Sequence, residues 1–208
     1  EALKAVPTLK KFVYASTSSV YGRYASGDET LPTKPSSPYG ITKLAGEHLA
    51  RVYQEEFGIP AVVLRFFSVY GPRQRPDLAI HKFTQMALAG QPIPLYGDGL
   101  TRRDYTYVED IVGGISRLLD NRNWGFEIFN LGCGQPITLL DMVHALEQAL
   151  NKNLKINYLE KQPGDVEQTH ADISKARSFF GYHPSISFAD GVRRFVEWHH
   201  GTLKNQTT

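Results

Sequence analysis

The sequence predicts an α/β chain: a doubly wound parallel sheet with a small α/β lobe attached. Three observations carry this. Phe12-Val13-Tyr14-Ala15 and Ala61-Val62-Val63-Leu64-Arg65-Phe66-Phe67 are short, nearly continuous apolar runs of β-prone residues, as expected of strands covered on both faces. A long stretch with helical spacing of apolar residues lies between them, which makes the strand–helix–strand unit of a parallel sheet. Past residue 136 the unit does not recur, and shorter helices and one strand suggest a separate lobe.

Bulk properties narrow the class. With 208 residues and 41% hydrophobic content the chain can bury a full core. A formal charge of +2 gives no case for a nucleic-acid partner. The single cysteine, Cys133, excludes an intramolecular disulfide framework and is expected to be a buried or inert thiol. Seven histidines show no metal-ligand spacing, so no metal is expected. No apolar run approaches the ~18 residues of a membrane span, and no secretory signal is present, so a cytoplasmic location is the default expectation.

In chain order, residues 1–6 read as the tail of a helix stopped before Pro7. The strand ending at Ala15 opens into hydroxyls, Ser16-Thr17-Ser18-Ser19, at the end where open α/β sheets bind ligands. Residues 23–36 are a polar loop expected to arch over that end. Ser37 can then cap a helix with Pro38 at its first position, running to about Phe57 and ended by Gly58 and Pro60. Its stripe of Ile41, Leu44, Ala45, Leu49, Val52, Tyr53 and Phe57 reads as core or as a subunit contact.

Tyr39 and Lys43 lie one turn apart on that helix, which puts a phenol and an ammonium on one face. A tyrosine near its reference pKa of about 10 is a poor base, but a neighbouring cation favours the phenolate. Reaching about 7 needs roughly 4 kcal/mol of differential stabilisation. Such a phenolate can take a proton from an alcohol that Thr17 or a neighbouring serine holds in line. Taken alone, the pair fits a half-buried helix face with a solvated lysine better. The hydroxyl-rich strand end, Val20-Tyr21-Gly22 and the capped Ser-Pro-Tyr-Gly start favour chemistry.

Beyond the second strand, Ser68-Val69-Tyr70-Gly71-Pro72-Arg73-Gln74-Arg75-Pro76-Asp77 places two arginines in an ordered loop; guanidinium forks suit phosphate or carboxylate, and a solvated loop fits equally well. A helix over about 79–89, a strand at Ile93-Pro94-Leu95-Tyr96 and a Gly97-Asp98-Gly99 turn follow. Arg102-Arg103-Asp104-Tyr105 is a second basic cluster, more often surface than site, leading into an acid-started helix. Residues 126–131 read as another strand, whose Asn-Leu-Gly ending looks structural. Thr138 caps a helix, residues 154–159 read as a strand, and helices near 173–180 and 189–199 close the lobe. The polar tail from Gly201 is expected to fray.

The hydroxyl cluster with Val20-Tyr21-Gly22 and Ser37-Pro38-Tyr39-Gly40-Ile41-Thr42-Lys43 resembles the extended short-chain dehydrogenase/reductase family of NAD-dependent sugar-nucleotide epimerases and dehydratases. The resemblance implies that the sheet is part of a Rossmann-type NAD-binding domain, formed by residues 1–70 with 100–135. Residues 71–99 and 136–200 would form the nucleotide-sugar lobe, and 201–208 a tail. The glycine-rich turn that cradles the NAD pyrophosphate in that family is not found, and Gly132-Cys133-Gly134 reads as a turn. The chain begins at Glu1, without a methionine, and is expected to be the last two thirds of a family member.

Site residues follow from the resemblance. Tyr39, Lys43 and Thr17 would be catalytic, and Ala15, Ser16, Tyr39, Lys43 and Phe66 would contact NAD. Thr17, Ser18, Ser19, Ser68, Arg75, Tyr96, Arg103, Gln162 and Asp165 would hold the UDP-sugar, with Arg103 on the diphosphate and Asp165 on the ribose. Ser68 with Arg75, and Gln162 where many members have arginine, resemble the UDP-glucuronate 4-epimerases, in which the first two positions address the uronate carboxylate. Dehydratases and decarboxylases of the family carry acids where Ser18 and Ser19 stand.

The reaction implied is therefore 4-epimerisation of a UDP-sugar, preferably UDP-glucuronate, through a 4-keto intermediate that turns over between hydride removal and return. Alternatives are a UDP-glucose 4-epimerase, a 4,6-dehydratase or decarboxylase, and a truncated non-catalytic nucleotide-sugar-binding module. A homodimer is expected from family habit.

Overall fold

The computed structural model describes residues 1–120, 125–161 and 166–206, with 203–206 by backbone alone. A 3₁₀ turn, Ala2–Ala5, precedes strand β1 (Phe12–Thr17), and a second one, Ser18–Tyr21, follows it. Then come β2 (Ser26–Gly27), α1 (Pro38–Phe57), β3 (Ala61–Phe66), β4 (Ser68–Tyr70), α2 (Ala79–Leu88), β5 (Ile93–Tyr96), β6 (Arg102–Arg103) and β7 (Tyr105–Tyr107). The remainder is α3 (Val108–Asp120), β8 (Phe126–Leu131), β9 (Ile137–Thr138), α4 (Leu139–Leu150), β10 (Ile156–Leu159), β11 (His170–Ala171), α5 (Ser174–Phe180) and α6 (Phe188–Gln206).

β1, β3 and β8 form a parallel sheet in that order. Their register aligns Thr17 with Phe66 and Leu131 in one row, and Ser16 with Arg65 and Asn130 in the row before it. Helix α1 covers the face that carries Tyr14 and Ser16. Its Gly46 lies so close that an added Cβ would sit 2.1 Å from the Tyr14 hydroxyl. On the opposite face Val62, Leu64, Phe129 and Leu131 share a core with Ile111 and Leu118 of α3. Leu64 and Phe129 are fully buried, each contributing about 2–3 kcal/mol of transfer free energy.

Local chemistry explains the helix ends. The Ser37 hydroxyl accepts from the Gly40 amide at 3.1 Å, and α1 closes at Gly58, which is left-handed at φ +64°. Thr138 and Asp141 form a reciprocal capping box on α4. A second core packs Ile80 and Phe83 of α2, Ile93 of β5, Met142 and Leu146 of α4, and Phe195 of α6.

Three expectations change. The loop 23–36 flanks the ligand end of the sheet, where Lys34 and Pro35 pack against Gly22 and Gly40, and is also pinned to the body of the sheet. Its Ser26–Gly27 pairs with His170–Ala171, and Glu29 bonds Arg65 through its carbonyl and the Asn130 amide through its carboxylate. These buried polar groups need partners, and the loop supplies them. Residues 170–182, assigned to the lobe, instead share the sheet's core through Ala171, Ile173, Ala176, Phe180 and Tyr182. The chain thus returns to the first layer, because the apolar face of α5 matches Phe129 there. Finally, α6 continues through Gly201 to Gln206, where the Thr202 hydroxyl bonds the Trp198 carbonyl, and the last two residues of the expected tail lie outside the described residues. Among the described residues no helix is long and apolar enough to cross a membrane, and no cluster of acidic, histidine or cysteine side chains could hold a metal.

Candidate active site

At the C-terminal end of the sheet, β1 hands Thr17 to the turn that follows. The Thr17 hydroxyl accepts from the Ser19 amide at 3.2 Å and donates to the Ser19 hydroxyl at 3.2 Å. Thr17 is thus both the last strand residue and the cap of Ser18–Tyr21, which fixes the hydroxyl cluster. Ser18 and Ser19 are half-buried beside it.

Helix α1 reaches this cluster because Gly40 lacks a side chain. An added Cβ would lie 2.7 Å from the Ser19 carbonyl oxygen and 3.0 Å from Pro35 Cβ. Only glycine permits that approach, and it sets Tyr39, 54% exposed, at the rim of the cluster. One turn on, Lys43 Nζ donates to the Ala15 carbonyl at 2.9 Å and stands 5.8 Å from the Tyr39 ring centre. Tyr39 and Lys43 therefore share one face, and Lys43 ties that face to β1.

Ser16 is placed differently from the other candidates. Its hydroxyl is buried and donates to Glu47 at 2.5 Å, so the side chain points under α1 and only its backbone lies at the sheet end. Glu47 in turn meets Arg65 through bonds of 2.7 and 3.1 Å. Arg65 also reaches the Tyr21 hydroxyl, which bonds the Asn130 side chain at 2.7 Å. Tyr21 and Asn130 are hence structural, and burial pushes the Tyr21 phenol up. Ala15 is exposed on the outer strand of the sheet, and Phe66 is half-buried at the end of β3.

Ser68 opens β4, its amide bonded to the Asp104 carbonyl at 3.0 Å. In the loop beyond, Arg73 is left-handed at φ +66°, a conformation that costs a non-glycine residue roughly 1 kcal/mol or more. Arg75 Nε donates to Asp77 Oδ1 at 3.0 Å while Nη2 donates to Oδ2, a two-point fork on a carboxylate. The hydrogen bonds and charge of Asp77 hold the Arg75 guanidinium above its ordinary value.

A cleft of about 310 Å³ lies beside Asp77. Lys82, Tyr96, Thr101, Arg103 and Tyr105 line it with Phe83, Pro94 and Leu139. Two cations and aromatic walls suit a nucleoside diphosphate. Burial pushes the Tyr105 phenol up to about 12, opposed by the Arg103 charge. Between the two arms of the site, Asp104 is fully buried and accepts from the amides of Cys133 at 2.6 Å, Gly134 at 3.0 Å and Ala171 at 2.9 Å. Burial also lifts the Cys133 thiol to about 11, which leaves it unreactive at neutral pH. Gln162 and Asp165 lie outside the described residues.

Sequence reading missed Glu47, Asp77, Lys82 and the anchoring role of Asp104. One signal was available: Arg65 interrupts an apolar strand, and a charge buried there requires a partner.

Comparison with known proteins identifies the family of the chain. The model of the NAD dependent epimerase/dehydratase family matches residues 1–132. A Bacillus subtilis protein described as an uncharacterized UDP-glucose epimerase, YtcB, is 42% identical over 192 residues, covering 92% of this chain and 61% of its own. The UDP-glucuronate 4-epimerase of Thermodesulfobacterium geofontis is 40% identical, with 91% and 59% covered. The crystal structure of UDP-glucuronic acid 4-epimerase from Bacillus cereus, in complex with UDP-glucuronic acid and NAD, superposes with a TM-score of 0.90 at 41% identity, covering 97% of this chain and 64% of that one. The chain thus spans about three fifths of the length of the curated relatives it matches. Shared sequence over nearly all of this chain, a shared sheet and a tyrosine–lysine face at its ligand end make it a member of the NAD dependent epimerase/dehydratase family.

Proposed function

We propose that this chain carries the substrate-binding and acid–base part of an NAD-dependent UDP-glucuronate 4-epimerase, which interconverts UDP-glucuronate and UDP-galacturonate. The observation that carries the reading is the Arg75 guanidinium, which forks onto a carboxylate through Nε and Nη2 in the loop beyond β4. A sugar whose C4 hydroxyl meets Tyr39 would present its own carboxylate to such a fork.

The residues present fit the nicotinamide end of NAD. Ala15 is exposed at the outer strand, and Lys43 lies on its carbonyl, within reach of a ribose. Tyr39, Lys43, Ala15, the Ser16 backbone and Phe66 would hold it. When bound, NAD supplies the hydride acceptor and donor. Tyr39 takes the proton of the C4 hydroxyl, while Lys43 ties the helix face that bears it to β1 and Thr17 keeps the hydroxyl in line.

Arg103, Lys82 and Tyr96 hold the UDP moiety, with Gln162 and Asp165 assigned to it by family resemblance. Ser18, Ser19, Ser68 and Arg75 hold the sugar. A carboxylate paired with Arg75 resists loss of carbon dioxide from the 4-keto acid, because its charge stays localised on the fork. With serines at 18 and 19 no acid stands ready for elimination. The exposed apolar side chains Ile41, Leu49 and Val52 on α1 support a homodimer, and the absence of a disulfide framework accords with a cytoplasmic setting.

Incubation of the purified protein with UDP-glucuronate and NAD, followed by proton NMR, tests the reading. UDP-galacturonate is the expected product. Release of carbon dioxide, a 4-keto-6-deoxy sugar, or no turnover with tight binding would each replace it by decarboxylase, dehydratase or binding module respectively.

A further inference from the structure

Asp77 plays no part in the chemistry above, yet it occupies the group proposed to hold the substrate. Its two oxygens take two of the five donors of the Arg75 guanidinium, in the same fork-on-fork arrangement that a uronate carboxylate would need. A turn makes this reach possible: the Leu78 amide bonds the Arg75 carbonyl at 3.2 Å, and Pro76 stiffens the intervening backbone. The same aspartate lines the cleft with Lys82 and Arg103, which offer alternative cationic neighbours if it leaves Arg75.

We infer that Asp77 is a specificity-determining residue: an internal carboxylate that competes with an acidic sugar for Arg75 and lets the site accept neutral sugars as well. The inference rests on the reading of Arg75 as the uronate ligand. Two carboxylates repel beside one guanidinium, so an acidic sugar must either displace Asp77 or take the free Nη1 edge against its charge. A neutral sugar need not, because Arg75 then keeps its partner and no uncompensated cation faces the sugar ring. Both side chains are well exposed, 75% for Arg75 and 59% for Asp77, so the pair breaks at little cost and the discrimination is graded.

Calorimetric titration of the purified chain with UDP-glucuronate and with UDP-glucose tests this, using wild type, Asp77→Asn, Arg75→Gln and the double variant. Asp77→Asn is expected to raise affinity for UDP-glucuronate about two- to fivefold and to leave UDP-glucose unchanged or weaker. In the Arg75→Gln background the same substitution is expected to have no effect on the ratio of the two affinities. Equal gains for both ligands, an unchanged ratio, or a gain that persists without Arg75 would overturn the role of Asp77. If Arg75→Gln leaves the preference for UDP-glucuronate intact, or neither ligand binds wild type, the reading of Arg75 itself fails.

Discussion

Glu47 on α1 and Arg65 on β3 form an ion pair, 2.7 Å at its shortest, in which the two side chains keep only 3% and 4% of their exposure. It sits over the row Ser16, Arg65, Asn130, one residue short of the strand ends that carry the site. The helix with Tyr39 and Lys43 is thereby keyed to the strand with Thr17. Glu47→Ala leaves the guanidinium buried and unpaired, and is expected to cost about 3–5 kcal/mol in urea unfolding. Replacing both residues by apolar ones, Glu47→Leu with Arg65→Met, is expected to recover much of that loss.

Placement of Tyr39 depends on Gly40, so the two positions separate geometry from chemistry. Tyr39→Phe is expected to lower kcat by about 10²- to 10⁴-fold with UDP-sugar affinity retained. Gly40→Ala must push the first turn of α1 off the Ser19 carbonyl. A displacement near 1 Å is expected to cost about 10²-fold in kcat. Circular dichroism of both variants should match wild type; full activity in Tyr39→Phe would reject the phenol as base.

Asp104 ties together the segments around Gly132 and Ala171 while its neighbour Arg103 lines the cleft beside Asp77. Asp104→Asn offers one acceptor oxygen where three amides converge. It is expected to destabilise the fold by about 1–3 kcal/mol and to weaken UDP binding, read by thermal unfolding with and without UDP.

Acid should loosen the second core through His199. His199 is 7% exposed among Phe195, Trp198 and His81, and its Nδ1 has no hydrogen-bond partner among the described residues. Burial, then the neighbouring His81 and His200, hold its pKa below the ordinary value. A histidine depressed in the fold binds its proton more readily when unfolded. Its contribution is therefore complete above about pH 6.5 and is lost as pH falls through that value toward the folded pKa. The melting temperature is expected to drop between about pH 7 and pH 5, and His199→Leu to flatten that slope, which cannot exceed about 1.4 kcal/mol per pH unit for one proton.

The sequence by itself determined the elements and which reactive side chains they carry. Apolar runs placed β1, β3 and β8, Ser37 with Pro38 and Gly58 bounded α1, and one helical turn put Tyr39 beside Lys43. These features are local: caps, periodicity and i,i+4 spacing are set by a few neighbouring residues. Only the tertiary structure decided what met across the chain. It brought Lys43 to Ala15, Ser16 and Arg65 to Glu47, and α5 back onto the sheet, and it put Lys82 in the same cleft as Arg103. Those pairings follow from strand register and from which buried polar group still needed a partner, and neither is written in any short stretch of residues.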